Sequence, residues 1–430
     1  MRLHTDKQIK DYWKASPLGK QRPLHPITKW MTYTRFQLLS RNLRLFDHTT
    51  IYKEASIEDY SRTFIRVRAW SDHIQQASLD FYTPGTSIAI DECMVRFLGR
   101  DLETTVVPNK PIPRSFKAWA VAQEGYFLQW LWHRPHRKYG PVGVRPAYRR
   151  KSPQVRKQRQ RRPVRKSERA EHLNPTQAVV VALVKLLPKA RYHVFLDNLF
   201  SSPNLFRRLR QLGHGATGTA RQNCGFHEPL VKLKNVDNTA AADLEFNYLT
   251  AVPTKDNLVN QIIWKDNALV LFLSTVFTGV ERVDRKRKRP TTDQPSARPI
   301  KRFFGAEPVK VISIPSIAAI YNEQMDAVDQ GDQRRAYWSP DRRVRRGSWK
   351  ALAWDFLLEI ALINSFILQL KGQPQWKPIK SQADWRQHIV DSLIAKYQPD
   401  RAKGFSHGTA VRSAKYPYVD PGIVGTSITA

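Results

Sequence analysis

Apolar residues recur along this 430-residue chain with two periods, and the places where the period changes mark its segments. From Trp30 to Leu45, Phe36, Leu39 and Leu43 fall at helical spacing with Arg35, Arg41 and Arg44 between them, and Ile57 to Phe81 repeats the pattern. Thr83-Pro84-Gly85-Thr86 is a turn, after which the run Ile88-Ala89-Ile90 predicts a short buried strand closed by Asp91. Ser115 to His133 alternates, carries Trp119, Tyr126, Phe127, Trp130 and Trp132, and breaks at Gly125, which predicts an antiparallel hairpin. Asn174-Pro175-Thr176 opens a helix that runs to Leu187, and Val194-Phe195-Leu196 is a second buried strand, closed by Asp197. A helix over Pro203 to Leu212, strands over Thr217 to Ala220 and Ala268 to Leu273, a helix through Asp329 and a strongly apolar helix over Ser348 to Leu370 follow.

Charge changes the picture in two places. Residues 138–169 collapse into Lys, Arg, Pro, Gln and Ser, so they cannot bury apolar surface and are expected to form a disordered basic loop. The tail beyond Phe405 is rich in Gly, Ser and Pro and is expected to fray. Lys plus Arg number 71 against 37 Asp plus Glu, a formal charge of +34 that calls for a polyanionic partner, with nucleic acid the natural one. No apolar run approaches the roughly 20 residues that span a bilayer, and Met1 to Lys7 lacks the apolar segment of a signal peptide. Cys93 and Cys224 cannot make a disulfide framework and suit a reducing compartment. No cysteine–histidine spacing suits zinc, so no zinc site is expected.

Three acids stand out. Asp91 closes an apolar run, where it is either a strand-end turn residue or a metal ligand, since a charge there is costly unless paired or bound. Asp197 precedes Asn198 and reads either as the cap of a following turn or as a ligand. Asp326, Asp329 and Asp332 recur every three residues, an acidic helical stripe that is either a solvated face or part of a site, and Gly331 within it weakens the helix and leaves room for close approach of DNA or metal. Two strand-borne carboxylates and one helix-borne carboxylate could converge on a pair of hard divalent cations.

The words around these acids extend the case. They are Asp91-Glu92-Cys93-Met94-Val95-Arg96-Phe97-Leu98-Gly99-Arg100, Val107-Pro108-Asn109-Lys110-Pro111, Leu196-Asp197-Asn198-Leu199-Phe200-Ser201-Ser202, Gly218-Thr219-Ala220-Arg221-Gln222-Asn223, Leu273-Ser274-Thr275, Tyr321-Asn322 to Gln333, and Ile363-Asn364-Ser365-Phe366. In this order they resemble the piggyBac transposase family, and the resemblance runs from about Trp30 to about Leu370. It implies an α/β fold: an RNase H-like mixed-sheet catalytic core, interrupted by an insertion domain and flanked by helical DNA-binding and dimerisation segments. The corresponding divisions are residues 1–84 (helical), 85–223 (first part of the core), 224–310 (insertion), 311–340 (last core helix), 341–405 (helical) and 406–430 (tail).

The resemblance further implies cut-and-paste DNA transposition at TTAA, with Asp91, Asp197 and Asp329 as catalytic acids holding Mg²⁺ (Mn²⁺ able to substitute). Asp332 matches an auxiliary acid, while Asp326 reads as surface and Glu92 as solvent-facing or auxiliary. Arg334, Arg335, Arg342, Arg343, Arg345, Arg346 and Lys350, interleaved with Tyr337, Trp338 and Trp349, are expected to hold DNA, basic groups on phosphates and aromatics on exposed bases. Arg96, Arg100 and Lys110 read equally as phosphate contacts or as solvated charges. Arg285-Lys286-Arg287-Lys288-Arg289 resembles a nuclear-localisation patch, a weak signal by itself. The expected partners are double-stranded DNA (transposon ends and TTAA target) and a second copy of the chain, no membrane, and the expected compartment is the nucleus. Many relatives end in a cysteine-rich zinc-binding domain that this sequence lacks, and the region before Asp91 is short for the family, which keeps a catalytically silent, domesticated DNA-binding protein as the rival reading.

Overall fold

A computed structural model describes residues 9–13, 28, 31–49, 63–106, 113–134, 173–237, 244–292, 294, 297–337, 347–372 and 375–397. The Val107–Pro111 word, the 138–169 loop, Trp338, Arg342, Arg343, Arg345, Arg346 and the 406–430 tail lie outside the described residues.

Two helices, α1 (Tyr33–Asn42) and α2 (Arg68–Asp80), precede strand β1 (Ser87–Arg96). The short β2 (Thr105–Val106) and the long hairpin β3 (Arg114–Gln123) and β4 (Tyr126–Trp132) follow. The hairpin turns through Glu124 at φ 50° and Gly125 at φ 86°, the pair of positive φ values that matches the twist of the flanking strands. Helix α3 (Pro175–Leu186) starts in a capping box: Asn174 accepts from the Gln177 amide and the Gln177 side chain accepts from the Asn174 amide. Then come β5 (His193–Leu196), α4 (Pro203–Gln211), β6 (Gly215–Thr219) and α5 (Glu228–Asp237). Three strands, β7 (Leu249–Pro253), β8 (Asn260–Lys265) and β9 (Leu269–Ser274), precede β10 (Arg282–Lys288), α6 (Arg298–Phe304) and β11 (Val309–Pro315). The chain continues through α7 (Ser316–Gln324), α8 (Ala327–Tyr337), α9 (Ser348–Leu370) and α10 (Gln382–Tyr397).

One nine-stranded mixed sheet forms the frame, in the order β2-β3-β1-β5-β6-β9-β8-β7 with β4 also on β3. β1, β5 and β6 run parallel; β3 and β9 flank them antiparallel. Because β9 pairs with β6, the strands read as part of an insertion continue the main sheet, and among the described residues only the β10–β11 ribbon makes a sheet of its own.

The central strands are buried on both faces, which explains their nearly continuous apolar runs. On one face Ile88, Ile90, Val194 and Leu196 meet Val180 and Leu183 of α3 and Leu205 and Leu209 of α4. On the other, Ala89, Cys93, Ala118, Ala120 and Ala122 present a surface of small side chains to Val328 of α8 and Leu352, Phe356 and Ile360 of α9. Small residues there let α8 lie close to the sheet.

Helix α9 is 23 residues long and apolar enough by length and composition to cross a membrane, which corrects the expectation that no run approaches that length. Leu352, Ala353, Phe356, Leu357, Ile360 and Ile363 are fully buried in the protein, so its apolar character is that of a core helix. It contains one π turn over Leu352–Leu357.

Candidate active site

The pairing of β1 with β5 ends at Ile90↔Leu196. Asp91 is the next residue of β1 and Asp197 the first residue past β5, so adjacent parallel strands deliver the two carboxylates to one sheet end. β1 itself runs on to Arg96 against β3, so Asp91 stands at the end of the parallel partnership and not at the end of the strand, as its sequence context suggested. Asp329 lies in the first turn of α8, which packs across β1 and β3, and it is exposed.

Electrostatics shows that these acids feel one another. Burial first, then the charges of Asp197, Glu92 and Asp329, push Asp91 up to about 7 against the pull of the Glu92 amide, which donates to Asp91 Oδ1 at 2.7 Å. Burial, and then Glu92, also hold Asp197 above the usual carboxylate range, opposed by the Leu199 amide (2.8 Å to Oδ1) and by Arg221. Asp197 therefore caps its own turn, as its bland reading held, and belongs to the acid cluster as well. Two glycines permit these approaches. A Cβ on Gly218 would lie 2.5 Å from the Leu196 carbonyl oxygen and from Ser201 Oγ, in the loop carrying Asp197. A Cβ on Gly331 would lie 2.6 Å from Phe127 Cε2 and 2.8 Å from the Gly125 carbonyl oxygen, so the close approach at this glycine is that of α8 to the β3–β4 hairpin, not of DNA or metal.

Sequence reasoning assigned no role to Tyr321 or Arg221. Burial and the charges of Asp197 and Asp91 push the Tyr321 phenol up to about 12, and its oxygen is 3.1 Å from Thr219 Oγ1. Arg221 donates to Asn198 Oδ1 at 3.0 Å. Asn198, which follows Asp197 in the chain, lines a groove of about 660 Å³ with Thr219, Arg221, Gln222 and Lys234. Tyr321 and Arg221 sit inside the sequence words that surround the acids; pairing between β6 and β5 brings Arg221 to the site, and the packing of α7 on β1 and β6 brings Tyr321.

Several expected roles need correction. Arg335 is buried, and donates to Asp332 Oδ1, to the Asp355 carbonyl at 2.8 Å and to the Met94 carbonyl at 2.5 Å, so its guanidinium is committed inside the protein and not to phosphate. Trp349 is buried edge-on against Phe46, out of reach of a base. Asp332 is held by Arg335 through Nε at 2.9 Å and Nη2 at 2.5 Å. Glu92 is neither solvent-facing nor free: it pairs with Lys117 at 2.6 Å. Lys350 is half-buried and donates to the Ser40 carbonyl at 2.8 Å, and Arg334 is half-buried. Arg96 is half-buried and Arg100 exposed. In the basic run, Arg285 pairs with Glu323 and Arg287 with Asp266 (2.9 Å), while Lys286, Lys288 and Arg289 face solvent.

Among the described residues, no three His, Cys, Asp or Glu side chains converge at metal-holding distance. The donor chemistry nevertheless fits hard divalent cations: oxygen ligands only, crowded so that a cation would relieve both the burial of Asp91 and the mutual repulsion of the acids.

Comparison with known proteins decides the family. A family model described as Transposase IS4 matches residues 1–366. This chain belongs to the IS4/piggyBac-type transposase family. It is 23% identical over 372 residues to the human piggyBac transposable element-derived protein 3, covering 84% of this chain and 51% of that protein. It is 22% identical over 368 residues to the human piggyBac transposable element-derived protein 2, covering 83% and 51%. The chain thus spans about half the length of these relatives. A cryo-EM structure of a piggyBac transposase synaptic complex with hairpin DNA superposes with a TM-score of 0.60 at 19% identity, over 89% of this chain and 68% of that one. The transposase fold expected from the sequence is thereby established as a mixed α/β sheet flanked by helices.

Proposed function

We propose that this transposase-family chain cuts and joins DNA with metal-dependent chemistry at the sheet end formed by Asp91 and Asp197. The observation that carries the reading is the pair of half-buried carboxylates at the ends of the paired parallel segments of adjacent strands, Asp91 within electrostatic reach of Asp329 on α8. The strand order β4-β3-β1-β5-β6, antiparallel then parallel, supports an RNase H-like core, with residues 224–310 read as an insertion before the third acid whose strands β7–β9 extend the same sheet. Two cations, Mg²⁺ with Mn²⁺ as substitute, would be held by Asp91, Asp197 and Asp329 and would supply an activated water and charge neutralisation at the scissile phosphate. Asp91, pushed up to about 7, would hold a cation in its carboxylate form, so filling of the site would favour loss of its proton. The Tyr321 hydroxyl stays protonated and can donate to a phosphate oxygen, and Arg221 and Lys234 offer positive charge along the groove. The substrate is double-stranded DNA, transposon ends and a TTAA target, handled in the nucleus by a homodimer; the sequence of steps is nicking, hairpin formation by the freed 3′-hydroxyl, opening, and attack on the target.

A second reading, a DNA-binding protein that does not cut, is favoured by the absence, among the described residues, of three acids converging on one coordinating point. Incubation of the full chain with end-containing duplexes and Mg²⁺ or Mn²⁺, beside a gel shift, separates the two. Metal-dependent nicks support the first, and saturated binding without a nick at any cation concentration selects the second.

A further inference from the structure

Arg335 sits where three elements meet, and none of its contacts belongs to an ordinary surface arginine. It projects from α8 two turns after Asp329 and is 6% exposed. Its guanidinium donates to Asp332 on its own helix, through Nε at 2.9 Å and Nη2 at 2.5 Å. Nη2 also reaches the Met94 carbonyl at 2.5 Å, three residues after Asp91 on β1. Nη1 reaches the Asp355 carbonyl at 2.8 Å inside the π turn of α9, and the guanidinium lies 5.7 Å from the Phe356 ring centre. A π turn departs from the regular helical ladder of carbonyls, and here one of the carbonyls in that turn takes a side-chain donor. Arginine suits this position because its planar fork supplies several donors in fixed directions from one buried group, which a lysine cannot do.

The consequence is geometric. Asp91 and Met94 are on one strand; Asp329, Asp332 and Arg335 are on one helix. Gly331 lets that helix touch Phe127 and the Gly125 carbonyl at its middle, and Arg335 fastens its C-terminal half to β1 and α9. We propose that Arg335 is a positioning residue, a clamp that sets where the helix bearing Asp329 stands relative to the strand bearing Asp91, with Asp332 acting as the partner that orients the clamp. The clamp rests on these contacts alone; its effect on cation binding rests on the reading of the acids given above.

The test uses the full chain and Mn²⁺ as the probe, read by thermal stabilisation as the cation is titrated. Residues that orient metal ligands typically contribute about 10–100-fold to metal affinity. Arg335→Met should raise the half-saturating Mn²⁺ concentration within that range of about 10–100-fold, and Arg335→Lys by less. Asp332→Asn should match Arg335→Met, and the double variant should exceed neither, since both act through one contact. Arg386→Met is the control: it breaks another buried ion pair of α9, with Glu359, and should lower the melting temperature while leaving the Mn²⁺ midpoint unchanged. An Arg335→Met protein with the wild-type midpoint, or an Arg386→Met protein with an equal shift, overturns the proposal. If wild type shows no Mn²⁺ response, the metal reading of the acids falls and hydrogen exchange decides the clamp: amides of residues 327–334 should exchange about tenfold faster or more in Arg335→Met and not in Arg386→Met. Equal exchange in the two variants overturns it.

Discussion

Asp91 and Glu92 are neighbours on one strand, point to opposite faces of the sheet, and meet opposite treatment. On the α3–α4 face, Glu92 is neutralised: Lys117 lies 2.6 Å away, and the same ammonium sits 3.8 Å from the Trp119 ring centre. His133 beside them is pushed down to about 4, by burial first and then by Lys117, so it stays neutral and adds no second charge. On the α8–α9 face, Asp91 is surrounded by further carboxylates and pushed up to about 7. On one face a lysine pairs with the carboxylate; on the other, the neighbouring charges that act on Asp91 are those of further acids. That difference separates a carboxylate that supports the fold from one whose charged form the fold disfavours, although the two are adjacent in sequence and alike in type.

The largest effect expected from breaking this contrast is on chemistry. Asp91→Ala, Asp197→Ala and Asp329→Ala should each lower DNA cleavage by on the order of 10³-fold or more, with duplex affinity in a gel shift changed only a few-fold. On the opposite face the cost should appear as stability. Lys117→Met leaves Glu92 buried without its cation and should destabilise by about 3 kcal/mol in chemical denaturation, with much of that recovered in the Lys117→Met/Glu92→Gln double variant.

Gly331→Ala sharpens the comparison from the Asp91 side. Alanine gains about 1 kcal/mol of helix propensity, but its Cβ would press on the rigid Gly125 carbonyl and Phe127. The clash should win, giving a net loss of about 1–2 kcal/mol by denaturation, together with slower cleavage as α8 lifts from the sheet.

The smallest effect is the pH dependence of the cation-free protein. Because Asp91 binds its proton more tightly folded than unfolded, its contribution is most favourable below about pH 4 and is lost as pH rises through about 7. Melting curves in chelator should therefore show Asp91→Asn gaining on wild type as pH rises from 4 to 7.

Much of the frame was legible because local signals carry it. The Glu124-Gly125 turn, the Asn174-Pro175 helix start and the apolar runs before Asp91 and Asp197 each encode their element within a few residues. The pairing of Arg285 and Arg287 was not legible in the run Arg285–Arg289, because it depends on strand β10 setting them against acids from α7 and the β8–β9 turn, distant in sequence.

By itself the sequence determined the acids and their order, the alternation that makes the hairpin, the excess of positive charge and the words that mark the family, since all of these depend on neighbouring residues. Only the tertiary structure decided which charges are spent and which remain. Arg334 and Arg335 are adjacent and chemically identical, yet one is half-exposed and the other is enclosed by Asp332, Met94 and Asp355. The same holds for the electrostatic coupling of Asp91 to Asp197 and Asp329, because strand register and helix packing bring these charges within reach of one another where burial strengthens their mutual cost.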